Sequence, residues 1–96
     1  MKLAGRTALV TGGSRGIGRA VVWALAKEGA RVAFTYNSNV DAANELVKEL
    51  ELDQREAVAF QADAANNDRA DEVVDAVIEK WEKLDILVNN AGIIKD

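Results

Sequence analysis

The residues best placed to do chemistry in this chain are Thr11, Gly12, Gly13, Ser14, Arg15, Gly16, Ile17 and Gly18, a glycine-rich run of eight. They follow a short apolar run, Thr7 to Thr11, and lead into an amphipathic stretch. That location matters more than the glycine count. The first N–H groups of a helix have no partner within it, and its dipole is positive at that end, so a helix start attracts phosphate. Glycines there allow a tight turn, close approach of a pyrophosphate to the backbone, and close packing of helix on strand.

The spacing excludes two common readings. Gly13 and Gly18 have the glycine spacing of a P-loop, but Arg19 and Ala20 stand where a lysine and a hydroxyl residue are required. The usual G-x-G-x-x-G dinucleotide pattern is also absent. What remains is Thr-Gly-x-x-x-Gly-x-Gly.

Other chemistry is scarce. With no cysteine and no histidine, the chain lacks a thiolate nucleophile, sulfur ligands for a metal and the commonest general base. Its acids fall on expected helix faces, Glu45, Glu49 and Glu51 on one and Asp71, Glu72, Asp75 and Glu79 on another, where solvated charge is expected rather than catalytic pairs. No metal site is expected. The net charge of −4 argues against nucleic acid as a partner. The apolar runs are too short to span a bilayer, and the start of the chain has no signal-peptide pattern, so a soluble cytoplasmic protein is expected.

Four short apolar runs alternate with the helical stretches: 7–11, 31–36, 57–61 and 85–88. Each is unbroken and partly β-branched, as for parallel strands buried on both faces. Ile17, Ala20, Val21, Ala24 and Leu25 mark a first helix, with Gly29 as its stop. Ala43, Leu46, Val47 and Leu50 mark a second. Ala70, Val73, Val74, Val77, Ile78 and Trp81 mark a third, with Asn66 or Asn67 as its N-cap. The β-α-β-α-β-α-β order implies right-handed crossovers and a parallel sheet in a single small domain over residues 1–96.

The glycine run resembles the cofactor motif of the short-chain dehydrogenase/reductase family. A second family motif matches Asn89, Asn90, Ala91 and Gly92 at the end of the fourth run. A third match is Asp63, just past the third. Gly5 to Gly12, and Asn89 to Asp96 with its Ile93-Ile94-Lys95-Asp96 ending, are similar to the 3-oxoacyl-[acyl-carrier-protein] reductase branch of that family. The resemblance implies a partial Rossmann fold: a doubly wound parallel sheet of about four strands in the order 3-2-1-4, with three helices. It further implies Asp63 at the adenine with the Ala64 backbone alongside, and Asn90, Ala91 and Gly92 on the floor of the cofactor cleft. The expected activity is that of an NADP-dependent oxidoreductase of fatty acid biosynthesis.

NADP is expected over NAD for an electrostatic reason. An acid at the end of the second strand usually holds the ribose 2′-hydroxyl of NAD. Here that strand ends in Thr35, Tyr36, Asn37 and Ser38, with no carboxylate to repel a 2′-phosphate. Arg15 can serve as a cation for it, and Asn37 and Ser38 as hydrogen-bond donors. Tyr36 is expected either beside the adenosine or over the sheet edge.

The family's catalytic serine and its Tyr-x-x-x-Lys pair have no counterpart in these 96 residues: Tyr36, the one tyrosine, is followed at the required distance by Val40. No catalytic residue is assigned, and the chain is expected to be an incomplete, inactive N-terminal portion. Its fourth strand is then an exposed apolar edge. Only the third helix covers one sheet face, so self-association through that edge or face, or a partly disordered chain, is expected. The alternative is a non-catalytic half-Rossmann module that binds or self-assembles. Trp23 and Glu82 depart from the family pattern, the latter at a turn position often held by glycine.

Overall fold

A computed structural model describes residues 2–14, 16–63 and 66–90. Four strands, β1 (Thr7–Val10), β2 (Arg31–Tyr36), β3 (Ala57–Gln61) and β4 (Ile86–Val88), alternate with three helices, α1 (Gly16–Lys27), α2 (Val40–Leu52) and α3 (Asn67–Trp81). The strands form one parallel sheet in the order β3-β2-β1-β4. Fold class, order and helix number are those expected. The first and last strands are each one residue shorter than their apolar runs.

The two sheet faces bury different side chains. Val10, Val32 and Phe34 pack with Val22 and Ala26 of α1 and with Ala43, Leu46 and Leu50 of α2. Leu9 and Ala33 face the other way, onto Val73, Val77 and Trp81 of α3. Each large side chain in these layers adds about 1.5–3 kcal/mol over exposure.

Burial on both faces holds for β1 and the interior of β2, but not for β3 and β4, whose residues are half-buried or exposed. The reason is position: both are sheet edges among the described residues. Leu9 and Leu87 are paired neighbours on the same face. Leu9, beneath α3, is 2% exposed, whereas Leu87, beyond its reach, is 57% exposed.

The expected face of α1 needs correction. Ile17, Ala20 and Ala24 are exposed, while Gly18, Val22 and Ala26 are buried, with Val21 and Leu25 on the flanks. Nearly every residue of α1 is apolar, so several phases fit a helical period equally well, and only packing selects one. On α3, Ala70 and Ile78 are likewise exposed, and Val73, Val77 and Trp81 form the inner face.

Caps explain the helix ends. Asn66 is the N-cap of α3, its side chain accepting from Arg69 N–H at 3.0 Å. Asn39 does the same for α2, accepting from Ala42 N–H at 3.0 Å. Glu82 closes α3 in the left-handed region at φ 68°, which is why glycine suits that position. Trp23 is accommodated by packing against the α1/α2 core, with the Lys27 ammonium 5.7 Å from its ring. An Arg19–Glu49 ion pair ties α1 to α2.

At the N-terminal end of the sheet, Thr7 N–H donates to Asp85 Oδ2 at 2.9 Å. That hydrogen bond holds the Asp85 carboxyl below the ordinary aspartate value. Burial opposes the shift, and Lys83 and Arg6 reinforce it.

Candidate functional site

The glycine loop is held from both neighbouring strands. Gly12 N–H donates to the Thr35 hydroxyl at 2.9 Å, and Gly13 N–H to the Thr35 carbonyl at 3.0 Å. On the other side, Thr11 N–H donates to the Val88 carbonyl at 2.9 Å. The Asn90 side chain donates from Nδ2 to the Gly12 carbonyl at 3.2 Å. The loop is thus spanned between the C-terminal ends of β2 and β4, directly after β1.

Two glycines are required by close approach. A Cβ on Gly13 would lie 2.7 Å from Phe34 Cβ and 2.9 Å from Val22 Cγ2. One on Gly18 would overlap the Gly12 carbonyl oxygen and lie 2.9 Å from Asn90 Nδ2. Gly16 differs: it takes φ +62° and faces open space, with nothing within 4 Å of the place a Cβ would occupy. The start of α1 is therefore open for a ligand to reach the backbone N–H groups of its first turn. Ile17, in that turn, is 75% exposed.

Beside the loop lies a cleft of roughly 550 Å³ lined by Gly12, Ser14, Tyr36, Asn37, Ser38 and Asn39. None of these carries a carboxylate. Asp41, in the first turn of α2, is the acid that follows in sequence, and it is not among the lining residues. Tyr36 both lines the cleft and packs against the α1/α2 core. The Asn37 carbonyl accepts from Gln61 Nε2 at 2.8 Å, which ties this turn to the end of β3.

Of the expected site residues, Gly12, Ser14, Asn37 and Ser38 are brought together at this cleft. Gly13, Gly16, Ile17, Gly18 and Asn90 adjoin it through the loop. Asp63 stands past the end of β3, at the same pole of the sheet, where its carbonyl accepts from Asn66 N–H at 2.9 Å. Arg15, Ala64, Ala91, Gly92 and the segment 93–96 lie outside the described residues.

Thr35 and Asn39 were not foreseen. Asn39 carried a signal, since an asparagine before an apolar helical period is a capping residue. Thr35 carried none, because its role depends on β2 lying next to β1.

The loop sits where strand order reverses, with β2 on one side of β1 and β4 on the other. Ligands of open α/β sheets bind in that crevice, outside the carboxyl ends of the strands. Fold and site together define an open-sheet α/β protein whose crevice lies where such sheets take a dinucleotide. The chain belongs to the short chain dehydrogenase family, whose model matches residues 6–96.

A 3-oxoacyl-[acyl-carrier-protein] reductase from Synechocystis sp. is 44% identical over 94 residues, covering 98% of this chain and 38% of the relative. A short chain dehydrogenase from Burkholderia cenocepacia, solved in complex with NADP, superposes with a TM-score of 0.93 at 48% identity. That match covers 99% of this chain and 39% of the other. A blue fluorescent protein from a metagenomic library, solved with NADPH, gives a TM-score of 0.92 at 47% identity, with 99% and 39% coverage. The chain thus spans under two fifths of the length of the Synechocystis reductase. No helix among the described residues is long and apolar enough to cross a membrane.

Proposed function

We propose that this chain supplies the adenosine and pyrophosphate half of an NADP(H) site in an oxidoreductase that reduces a β-ketoacyl thioester. The observation that carries the reading is the carboxylate-free cleft at the end of β2, beside a phosphate-ready helix start. The bound NADP and NADPH of two similar structures support it, as does the reductase relative.

Residues 1–96 form the N-terminal portion of a Rossmann-type domain in this reading. The backbone of Ser14, Gly16, Ile17 and Gly18 receives the pyrophosphate, and Gly12 and Gly13, whose N–H groups are bonded to Thr35, shape the turn beneath it. Arg15, Asn37 and Ser38 take the ribose 2′-phosphate, a guanidinium being suited to that geometry. Asp63 and the Ala64 backbone meet the adenine, and Asn90, Ala91 and Gly92 floor the cleft. Such a dinucleotide supplies hydride to a carbonyl carbon. No residue of this chain is assigned to the accompanying proton transfer.

The test is a titration of NADPH and of NADH, followed by the fluorescence of Trp23 and Trp81. NADPH is expected to bind more tightly, and Arg15→Ala to weaken NADPH more than NADH. Equal loss for both would remove the 2′-phosphate assignment, and no response at about millimolar nucleotide would remove the site. The second reading is a module that binds or self-assembles without catalysis. It is favoured by Leu87, exposed on β4, which pairs only with β1 among the described residues.

A further inference from the structure

At the opposite pole of the sheet, a second cleft of roughly 490 Å³ is lined by Gly5, Arg31, Lys80, Trp81, Glu82 and Lys83. Arg31 opens β2 and Tyr36 closes it, so this cleft lies about 16 Å from the glycine loop at ~3.3 Å per residue. It is separate from the nucleotide site proposed above.

Three cations and one acid line this cleft, and the cations are poorly matched. The Arg31 guanidinium donates to the Thr7 hydroxyl at 3.2 Å. Its Nε is the one buried side-chain polar atom among the described residues with no hydrogen-bond partner. That atom is closed to solvent, so it is a local packing cost and not a donor that a ligand in the cleft reaches. No carboxylate of the described residues lies within ion-pair distance of Arg31 or Lys80; only Lys83 has one, Asp85 at 3.3 Å. Arg31 and Lys80 instead converge on the same indole, 5.5 and 5.9 Å from the centre of the Trp81 ring. That ring is 6% exposed and pinned by a hydrogen bond from Nε1 to Glu56 Oε2 at 3.2 Å. Both cations line the same cleft without a carboxylate partner, and an anion seated there would be attracted by each.

We infer that the Arg31–Lys80–Lys83 cleft is a binding site for a phosphate-type dianion, free or carried as a phosphomonoester. A forked guanidinium beside two ammonium groups suits a tetrahedral dianion better than a single carboxylate. Glu82 limits the affinity, and a dissociation constant on the order of millimolar is expected.

Trp81 lies in the site and serves as its probe once Trp23 is replaced by Phe. In that background, inorganic phosphate and phenyl phosphate are titrated against chloride at matched ionic strength, with acetate as the carboxylate arm. The expected result is a saturable change with phosphate, weakened about tenfold by Arg31→Gln and severalfold by Lys80→Gln. Equal binding of both phosphates means the site accepts an esterified group; binding of inorganic phosphate alone means it takes the free ion. Phosphate bound at the glycine loop is insensitive to Lys80→Gln, which separates the two sites. Lys80 is exposed, so its variant keeps the test valid if Arg31→Gln fails to fold. A response no larger than chloride's, one unaltered in Lys80→Gln, or acetate binding as tightly as phosphate would each overturn the inference.

Discussion

Replacing Gly18 by alanine tests the mutual support of the glycine loop and Asn90. The new Cβ would overlap the Gly12 carbonyl oxygen and stand 2.8 Å from its carbon and 2.9 Å from Asn90 Nδ2. An ordinary carbon–oxygen contact is ~3.3 Å or more, so Gly12, whose carbonyl oxygen is overlapped, must retreat by more than about 1 Å. It cannot retreat freely, because its N–H is bonded to Thr35 and its carbonyl to Asn90. Overpacking of this kind costs about 1–3 kcal/mol, and a weakened hydrogen bond about 0.5–1.5. Alanine returns roughly 0.8–1.0 kcal/mol of helix propensity. The net is a loss of about 1–3 kcal/mol, or roughly 5–20 °C in Tm for a domain of this size. Gly16→Ala is the control: it meets no neighbour and costs only the left-handed backbone, about 1–2 kcal/mol. Urea unfolding and NADPH titration are run on both. Gly18→Ala should also lose at least about tenfold in NADPH affinity, since the loop itself moves. An unchanged midpoint together with an unchanged affinity would refute the reasoning.

Three further outcomes are expected. Thr35→Val leaves the Gly12 N–H without its acceptor and should destabilise by about 1–3 kcal/mol, while Thr35→Ser restores most of the loss in thermal unfolding; equal loss in both would point to packing instead. Asp85 has a lowered pKa, so its contribution is fully present above the ordinary aspartate value of about 3.9 and is lost as pH falls through its lower folded value. Asp85→Asn should therefore flatten the acid limb of Tm against pH below about pH 4, and an unchanged limb would remove this role. Leu87→Lys places a charge on the bare sheet face and should shift sedimentation at high concentration toward monomer; a wild-type chain that is already monomeric would end the self-association proposal.

The strands were legible because short β-branched runs bounded by turns have few other uses, and the sheet order followed from the β-α alternation together with the family resemblance. The second helix was legible because its charged residues leave one apolar stripe. α1 was not: its residues are apolar nearly throughout, so Ile17 and Ala24 looked as suited to the core as Val22 and Ala26. The difference lies in what stands opposite. Phe34 and Gly13 admit Val22, and the open mouth of the loop leaves Ile17 outside.

What the sequence determined by itself is local: a glycine run placed between strand and helix, a cap at Asn66 or Asn67, and a second-strand end without an acid. These depend on residue type and near spacing alone. The tertiary structure decided everything that needs strands distant in sequence to lie side by side. Thr35 reaches Gly12 across 23 residues, and Asn90 reaches the same glycine across 78. The cations of Arg31 and Lys80 meet on Trp81 only because β2 begins where α3 ends. A linear pattern carries no record of which strand is whose neighbour; that is set by burying both faces of one sheet at once.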